Sequence, residues 1–389
     1  MIKKYRYGLN TGNVVTLFLL VLVMNSCKPD DISVDLDQQE EVEEEMKGIE
    51  WDQSTLTKIA DGNYARVKEL DNLDLIAVYS RGNSVYVKYS KDRGRTWQNE
   101  QLIAEGNENY IMTNAEAIQL ENKKIIVAFN RRVKDEYWDE DFTYGILIVS
   151  TLDYGETWTS PQLIYEAGNT NRRGCWEPAL LQLPGGEVHC YFANEFPYQN
   201  SNEQEISLLR SSDDGENWST EIETVCYASS ARDGMPVAII QGDNILLSIE
   251  DNSNGHVLQP SIIKESIEDN WQHGPVGAND ERRTHLVPSF AQDRYAGAPY
   301  IAITINDELL LSFQDRLGRQ RDNEICKVLL ATNADGSFIS EDIPFDISGD
   351  NHTKWNSLEV LSIGEIIVVT STDAYQKGIY MITGTIENQ

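Results

Sequence analysis

Hydrophobic and polar positions follow a pattern that recurs six times along the chain. Each copy has an apolar or β-branched residue, a short polar turn, and then a run rich in apolar residues. The copies are LDNLDLIAVYS (70–80), LENKKIIVAFN (120–130), LPGGEVHCYFA (183–193), IQGDNILLSIE (240–250), TINDELLLSFQ (304–314) and LSIGEIIVVTS (361–371). Turn-forming residues between two apolar runs indicate a β-hairpin. Each copy therefore predicts the turn between the first and second strands of one repeated unit.

The spacing of these copies predicts the architecture. Six copies over roughly 340 residues give about 57 residues per unit, which suits a four-stranded blade. No long amphipathic helix competes with this interpretation. The sequence predicts an all-β fold, a single six-bladed β-propeller of four-stranded antiparallel blades that covers residues 50–389.

A second repeat has the form Ser/Thr-x-Asp-x-Gly-x-x-Trp and occurs as SKDRGRTW (90–97), TLDYGETW (151–158) and SSDDGENW (211–218). The Asp is expected to cap backbone N–H groups, the Gly to take a positive φ, and the Trp to pack back over the turn. These segments resemble the Asp-box repeats of sialidase-like β-propellers. We expect them between the third and fourth strands, on the rim of the first hairpin turn, so we predict the functional residues on the opposite rim.

Counting from the first residue of each copy predicts two rings of residues on that opposite rim. Six positions earlier lie Tyr64, Asn114, Glu177, Gly234, Ala298 and Trp355. Ten positions later lie Ser80, Asn130, Ala193, Glu250, Gln314 and Ser371. Each ring contains a single acid, and the two acids belong to neighbouring blades.

Glu177 and Glu250 are therefore the candidate catalytic residues. Paired carboxyls on one rim are what glycoside cleavage requires, one as acid or base and the other as nucleophile or as the base for water. Pro178 is compatible with this position because the first residue of a strand need not donate to the ladder. The alternative is that each Glu is a rim residue that only meets water.

Other polar and aromatic residues fall at positions that face the predicted pocket. The candidate substrate-binding residues are Arg66, Asn114, Asn130, Arg131, Trp176, Glu195, Arg232, Asp233, Gln314 and Trp355. Arg132 and Asp251 are neighbours of these positions. An Arg beside an acid is equally explained by a structural salt bridge.

The N-terminus predicts export. A basic start precedes the apolar run VVTLFLLVLVM (14–24), which is short for a membrane span and typical of a signal peptide. The run is followed by Asn25, Ser26 and Cys27, and the whole segment resembles a bacterial lipoprotein signal. Residues 1–27 are therefore expected to be a leader with Cys27 as the lipid-attachment site. Met24 departs from the usual Leu of that motif, which leaves plain secretory cleavage open.

Residues 28–49 are acidic and are expected to form a solvated tether. An acidic segment after the lipidated Cys resembles the surface-export signals of some Gram-negative lipoproteins. We therefore expect anchoring to an outer membrane, with membrane contact only through the lipid. The net charge of −31 argues against a nucleic-acid partner.

Four further cysteines lack the spacing of a zinc site. We expect Cys175, Cys190, Cys226 and Cys326 to be buried free thiols, because three of them lie in apolar runs. No metal cluster or phosphate-binding glycine loop is visible in the sequence, so we predict neither a metal nor a cofactor.

The segments WEP (176–178), YFANE (191–195), the third Ser/Thr-x-Asp repeat, RDGMP (232–236) and Glu250 together resemble glycoside hydrolase family 93. The resemblance runs through blades two to five. It implies a six-bladed sialidase-like propeller that removes units from the end of α-1,5-L-arabinan with retention. It also implies Glu177 as nucleophile, Glu250 as acid/base, and an oligosaccharide or polysaccharide of plant origin as the partner.

Three alternatives remain open at this point. An exo-α-sialidase would need three arginines for the substrate carboxylate and a Tyr–Glu nucleophile. Arg66 and Arg232 suit two of those arginines, but the sequence offers no clear third arginine and no clear Tyr. A polysaccharide lyase would need a Tyr or His base. A glycan-binding propeller without catalysis would not need both acids.

Overall fold

The computed structural model describes residues 47–388, apart from 139–140, 171, 256, 286–290, 292, 317, 319–321 and 332–336. The predicted leader, Cys27 and most of the predicted acidic tether lie outside these residues. Within the described part of the chain, no helix is both long enough and apolar enough to cross a membrane.

The described residues form six antiparallel sheets of four strands each, which confirms the predicted all-β propeller. The strands are β1 (Lys47–Ala60), β2 (Asn63–Glu69), β3 (Leu75–Arg81), β4 (Ser84–Ser90) and β5 (Gln98–Ala104), then β6 (Tyr110–Gln119), β7 (Ile125–Val133), β8 (Gly145–Thr151) and β9 (Gln162–Glu166), then β10 (Cys175–Gln182), β11 (Val188–Asn194), β12 (Glu205–Ser211) and β13 (Glu223–Cys226). They continue with β14 (Asp233–Gln241), β15 (Asn244–Asp251), β16 (Gln259–Ser266) and β17 (Arg283–His285), then β18 (Ala296–Ile303), β19 (Leu309–Asp315), β20 (Ile325–Ala331) and β21 (Phe338–Asp342), then β22 (Thr353–Val360), β23 (Ile366–Thr372) and β24 (Gly378–Asn388). One short 3-10 helix, Asp135–Tyr137, follows β7.

Blades one to five each take four consecutive strands, from β2–β5 to β18–β21. Blade six is different, because its strand order is β1-β24-β23-β22. The first described strand thus forms the outer edge of the last blade, with Glu50 opposite Thr385. This pairing joins the first and last described strands in one blade and closes the ring.

The hydrophobic core lies between adjacent blades. The second strands are buried on both faces, and every residue of β11, β19 and β23 is buried. This explains why these strands appear in the sequence as continuous apolar runs instead of alternating patterns. Cys175, Cys190, Cys226 and Cys326 are buried and free, as predicted.

The Ser/Thr-x-Asp segments form turns between the third and fourth strands of blades one to three. In the first turn, Thr96 N–H donates to Asp92 Oδ1 at 2.8 Å, and Trp97 Nε1–H donates to the Gly94 carbonyl at 3.0 Å. Gly94 has φ +86° and leaves no room for a Cβ, which would lie 2.4 Å from Met381. These turns lie on the rim of the first hairpin turns, so the opposite rim carries the starts of the inner strands.

Candidate active site

The inner strand of every blade contains one strained residue in its first half. Six non-glycine residues there have φ between 43° and 56°, and each sits at a break in the pairing register with the second strand: Tyr64, Asn114, Glu177, Met235, Ala298 and Trp355. A left-handed φ costs roughly 1–2 kcal/mol for a residue with a Cβ. A β-bulge turns the side chain away from its normal direction on the strand. The six left-handed residues form a ring in which the same backbone irregularity sets the direction of one side chain in each blade.

Five of these residues are the predicted first ring, but the predicted Gly234 is wrong, and Met235 takes its place. The hairpin of blade four is one residue shorter than the others. Ile240 pairs with Ile245, whereas in blade one Glu69 pairs with Leu75. Counting back six positions from Ile240 therefore goes one residue too far, to Gly234 instead of Met235.

The first ring converges at the propeller axis. Tyr64, Met235, Ala298 and Trp355 form one cluster, although they come from four different blades. The rings of Tyr64 and Trp355 are 5.9 Å apart. Asn114 and Glu177 supply the two polar members of the ring. The arrangement combines an apolar floor with a polar side, which suits a sugar ring with one apolar face and several hydroxyl groups.

The second ring holds the first ring in place. In five positions, a second-ring side chain accepts a hydrogen bond from the backbone N–H of the first-ring residue in the next blade. The pairs, with N–H to O distances, are Asn114–Ser80 (3.2 Å), Glu177–Asn130 (2.8 Å), Ala298–Glu250 (3.0 Å), Trp355–Gln314 (3.2 Å) and Tyr64–Ser371 (3.0 Å). The sixth position is Ala193, which has no acceptor. We call these five hydrogen bonds the inter-blade latches.

Glu177 lies in a buried and charged environment. Arg132 Nη2–H donates to Glu177 Oε1 at 3.1 Å, and the Glu177 side chain is 15% exposed. Burial raises the pKa of Glu177 to about 7, against the lowering effect of Arg132; the charges of Glu250 and Glu195 raise it further. The carboxyl therefore changes its charge near neutral pH, and such a perturbed carboxyl is typical of catalytic sites.

Glu250 lies on the neighbouring blade and is also held by a single latch. Its Oε2 accepts the Ala298 N–H, and burial raises the pKa of Glu250, although that hydrogen bond and the charge of Arg232 lower it. Glycines flank the carboxyl on both sides. A Cβ on Gly234 would lie 3.2 Å from Glu250 Oε1, and a Cβ on Gly297 would lie 3.2 Å from Glu250 Oε2.

Arg132, and not the predicted Arg131, is the arginine that contacts Glu177. Arg131 points to the other face of β7, where it binds Thr143 and Glu166. Successive residues of a strand point to opposite faces. Arg132 therefore shares the face of Asn130, two residues earlier, and this two-residue period was the sequence signal for it.

Trp176, Glu195 and Arg232 lie close to Glu177, and Trp176 Nε1 and Glu195 Oε2 are buried without a hydrogen-bond partner in the described part of the chain. The Arg132 guanidinium lies 4.7 Å over the Trp176 ring and covers one of its faces. Glu195 is buried and accepts a hydrogen bond from Arg232 Nη2. The Arg232 Nη1 donates to the Asn202 carbonyl at 3.0 Å. Glu195 and Arg232 thus form an ion pair at the wall of the site.

Asp233 lies behind the site and not in it. Its carboxylate accepts two hydrogen bonds from Arg283, at 2.9 and 2.7 Å, and both side chains are fully buried. Arg283 also donates to Asp251 at 2.7 Å, and Ser261 donates to Asp251 at 2.9 Å. This buried network joins the strands of blade four, so the structure gives Asp233 and Asp251 a supporting position.

Arg66 lies beneath the first ring. It is 2% exposed, its Nε is 3.4 Å from Glu116 Oε2, and its guanidinium is 4.0 Å from the centre of the Tyr64 ring. Its Nη1 donates to the Trp355 carbonyl at 3.2 Å. Arg66 therefore supports Tyr64 and Trp355 from below. Of the predicted binding residues, Asn130, Gln314 and Arg66 contact the backbone or ring residues. Trp355 belongs to the apolar floor and Asn114 to the polar side.

The described residues contain no group of three or more His, Cys, Asp or Glu side chains that could hold a metal ion.

Solved structures of similar fold include carbohydrate-active enzymes. An α-L-arabinanase of Penicillium chrysogenum, solved with arabinobiose, has a TM-score of 0.63 and 18% identity, with 85% of this chain and 97% of the arabinanase covered. The family 93 α-L-arabinofuranosidase of Fusarium graminearum, also solved with arabinobiose, has a TM-score of 0.61 and 14% identity, with 86% and 94% covered.

A Hadza microbial sialidase has a TM-score of 0.58 and 12% identity, with 84% of this chain and 65% of the sialidase covered. The chain has the sialidase-like propeller fold. A scan against protein-family models finds no match, and a search of curated protein sequences finds none either. The likeness of this sialidase-like propeller to the three enzymes is one of fold, since sequence identity does not exceed 18% among them.

Proposed function

We propose that this sialidase-like propeller is an exo-acting, retaining glycoside hydrolase that cleaves a neutral glycan of the α-L-arabinan class. The observation that carries the proposal is the pair Glu177 and Glu250. Both are partly buried carboxyls with raised pKa values, they come from neighbouring blades, and the charge of Glu250 acts on Glu177. Removing two acids from water costs free energy, and acids with perturbed pKa values cluster at functional sites.

The resemblance to family 93 assigns the roles of the two acids. Glu177 is the nucleophile that attacks the anomeric carbon, and Arg132 contacts it and opposes the rise of its pKa that burial causes. Burial raises the pKa of Glu250, which suits the acid/base role that the same resemblance implies. Glu250 protonates the departing glycosidic oxygen as the bond from Glu177 to the anomeric carbon forms. Glu250 then takes a proton from water, the water oxygen attacks the anomeric carbon, and Glu177 leaves as carboxylate.

The charges around the site favour a neutral sugar over an acidic one. Three arginines close to the ring residues or to Glu177 each have a carboxylate partner: Arg66 with Glu116, Arg132 with Glu177, and Arg232 with Glu195. A substrate carboxylate would need at least one arginine released from its partner. An excess of acids suits instead the positive charge that develops on the sugar in the transition state.

The choice of arabinan rests on two supports. The segments around Glu177, Glu195 and Glu250 resemble family 93, and two similar structures are arabinan-type enzymes solved with arabinobiose. The substrate should lie with one face on Trp355 and Tyr64 and with its hydroxyl groups toward Asn114 and Glu177.

Product analysis on a substrate panel tests the proposal. The purified propeller is incubated with linear arabinan, arabino-oligosaccharides and sialyllactose, and the products are separated by anion-exchange chromatography. We expect short arabinose products released from the chain end and no free sialic acid. Release of sialic acid would instead support the sialidase alternative. Binding of arabino-oligosaccharides without any product would support a glycan-binding propeller.

We also propose that Cys27 is lipidated and that the propeller is exported to an outer membrane, as the leader sequence predicts. Metabolic labelling with a fatty-acid analogue should label the wild-type chain and leave the Cys27→Ser variant unlabelled. A mature protein that begins after Cys27 and carries no lipid would contradict this proposal.

A further inference from the structure

Tyr295 lies immediately before β18 and beside the carboxyl of Glu250. A Cβ built on Gly297 would lie 2.3 Å from the Tyr295 hydroxyl oxygen and 3.2 Å from Glu250 Oε2. The two oxygens therefore border the same small space above Gly297. A side chain at position 297 would fill that space, so the glycine permits the approach of the tyrosine to the acid.

The hydrogen bonds around Tyr295 leave its proton available. Gln314 Oε1 accepts the Trp355 N–H, so the amide nitrogen of Gln314 must point the other way. That Nε2 donates to the Tyr295 hydroxyl at 3.2 Å. The hydroxyl oxygen is thus an acceptor in this contact, and no acceptor for its own proton occurs among the described residues.

Tyr295 is fixed in place and stays protonated. The Arg316 guanidinium lies 4.3 Å from the centre of its ring. Burial and the charge of Glu250 raise the pKa of Tyr295 to about 12. A hydroxyl with this pKa is a hydrogen-bond donor at any pH at which a glycosidase would work.

The charged and titratable groups that face Glu250 come from three blades. Arg232 approaches from blade four, Glu177 from blade three and Tyr295 from blade five. Tyr295 is faced in turn by Arg316 and by Glu324, which are paired with each other. The Ala298 N–H is the hydrogen-bond donor that Glu250 has among the described residues, and it reaches only Oε2.

We propose that Tyr295 is a positioning residue that donates its hydroxyl hydrogen bond to Glu250 whenever Glu250 is ionised, and so sets the proton affinity of that acid. The donor favours the charged carboxylate and makes Glu250 a stronger acid than burial alone would allow. In the proposed reaction, this eases proton release to the departing oxygen. The catalytic consequence rests on the proposed function, but the interaction itself does not.

The direct test is a titration of Glu250 that needs no substrate. The protein is labelled with glutamate carrying 13C at the side-chain carboxyl, and the Glu250 signal is assigned by its absence in Glu250→Gln. We expect Tyr295→Phe to raise the pKa of Glu250 by at least about 0.5 units, because the charged form loses a donor. Tyr375→Phe is the control, since its hydroxyl contacts the Asp346 carbonyl, far from both acids in sequence and outside the site. An unchanged or lowered pKa in Tyr295→Phe overturns the proposal.

A kinetic arm separates this proposal from the proposed function. If the enzyme turns over a glycan, the alkaline limb of kcat/KM in Tyr295→Phe should move to higher pH, and kcat should fall about 5–50-fold. Loss of turnover as complete as in Glu250→Gln would mean that Tyr295 reacts directly, and would overturn the positioning role. If no glycan is turned over, the proposed function fails, whereas the titration of Glu250 still tests the hydrogen bond from Tyr295.

Discussion

The side-chain oxygen of Asn130 accepts a hydrogen bond from the backbone N–H of Glu177, 2.8 Å away on the next blade. The Asn130 amide nitrogen donates to the carbonyl of Cys175 at 2.9 Å. One buried amide therefore fixes the backbone on both sides of Trp176 and sets the direction in which the candidate nucleophile points.

We expect Asn130→Ala to lower kcat about 10–100-fold with little change in KM, because misplacing a reacting group by about 1 Å is enough for such a loss. Steady-state kinetics measures both constants. Ser80→Ala removes the equivalent latch to Asn114 and serves as the matched control, with an expected change in kcat of less than about threefold. Equal losses in both variants would contradict a specific role for Asn130.

Arg132 should control the pH at which Glu177 becomes ionised. Its charge lowers the pKa of Glu177, so Arg132→Met should raise that pKa further and shift the acidic limb of kcat/KM to higher pH by about one unit or more. Arg131→Met is a close control, because Arg131 lies next to it on β7 and binds Glu166 on the opposite face. A shift of the same size in Arg131→Met would contradict the assignment.

Glu177 should destabilise the fold at high pH. Burial raises its pKa in the folded state to about 7, above the ordinary value of 4.5, so ionisation opposes folding as the pH rises through this interval. Glu177→Gln should match the wild type in stability near pH 4.5 and exceed it by about 1–3 kcal/mol at pH 8. Urea denaturation at both pH values measures the difference.

Glu203→Gln provides a control of opposite sign. Hydrogen bonds from Ser201, Ser230 and Tyr227 lower the pKa of Glu203 to about 2, so its charged form favours folding at neutral pH. That variant should lose stability at pH 8. A stability gain in Glu203→Gln, or none in Glu177→Gln, would argue against the electrostatic account.

Asp233→Ala tests the supporting position of the buried network. The change leaves Arg283 buried with only Asp251 as an acidic partner, and removing one member of a buried ion pair costs about 3–5 kcal/mol. Chemical denaturation should show this loss. Asp280→Ala, which disturbs the more exposed pair with Arg282, should cost less than about 1 kcal/mol. A stable Asp233→Ala protein with weakened substrate binding would instead favour the original prediction of a substrate contact.

The fold was predictable because its signal is periodic. Six hairpin patterns and three Asp-containing turns recur at the spacing of the blades. Each Asp-containing turn connects the third and fourth strands of its blade. The same counting located Glu250 correctly, since the second strands keep one length from turn to rim. It missed Met235, because the blade-four hairpin is one residue shorter than the others. Counting residues along the sequence does not show which residues of two strands pair.

The site was less predictable because its contacts join residues far apart in the chain. The pairing of Asp233 with Arg283 spans 50 residues, and the approach of Tyr295 to Glu250 spans a similar length. No local pattern reports such contacts. Closure of blade six by β1 is of the same kind, since it depends on pairing between the two ends of the propeller.

The most direct test of the central claim compares Glu177→Gln and Glu250→Gln with the wild type on a linear arabino-oligosaccharide. Both variants keep the shape of the side chain and remove only its ability to ionise. We predict that each lowers the rate of product release at least about 1,000-fold while circular dichroism shows an intact all-β fold. Wild-type rates in either folded variant would contradict the assignment of these two carboxyls to the chemistry.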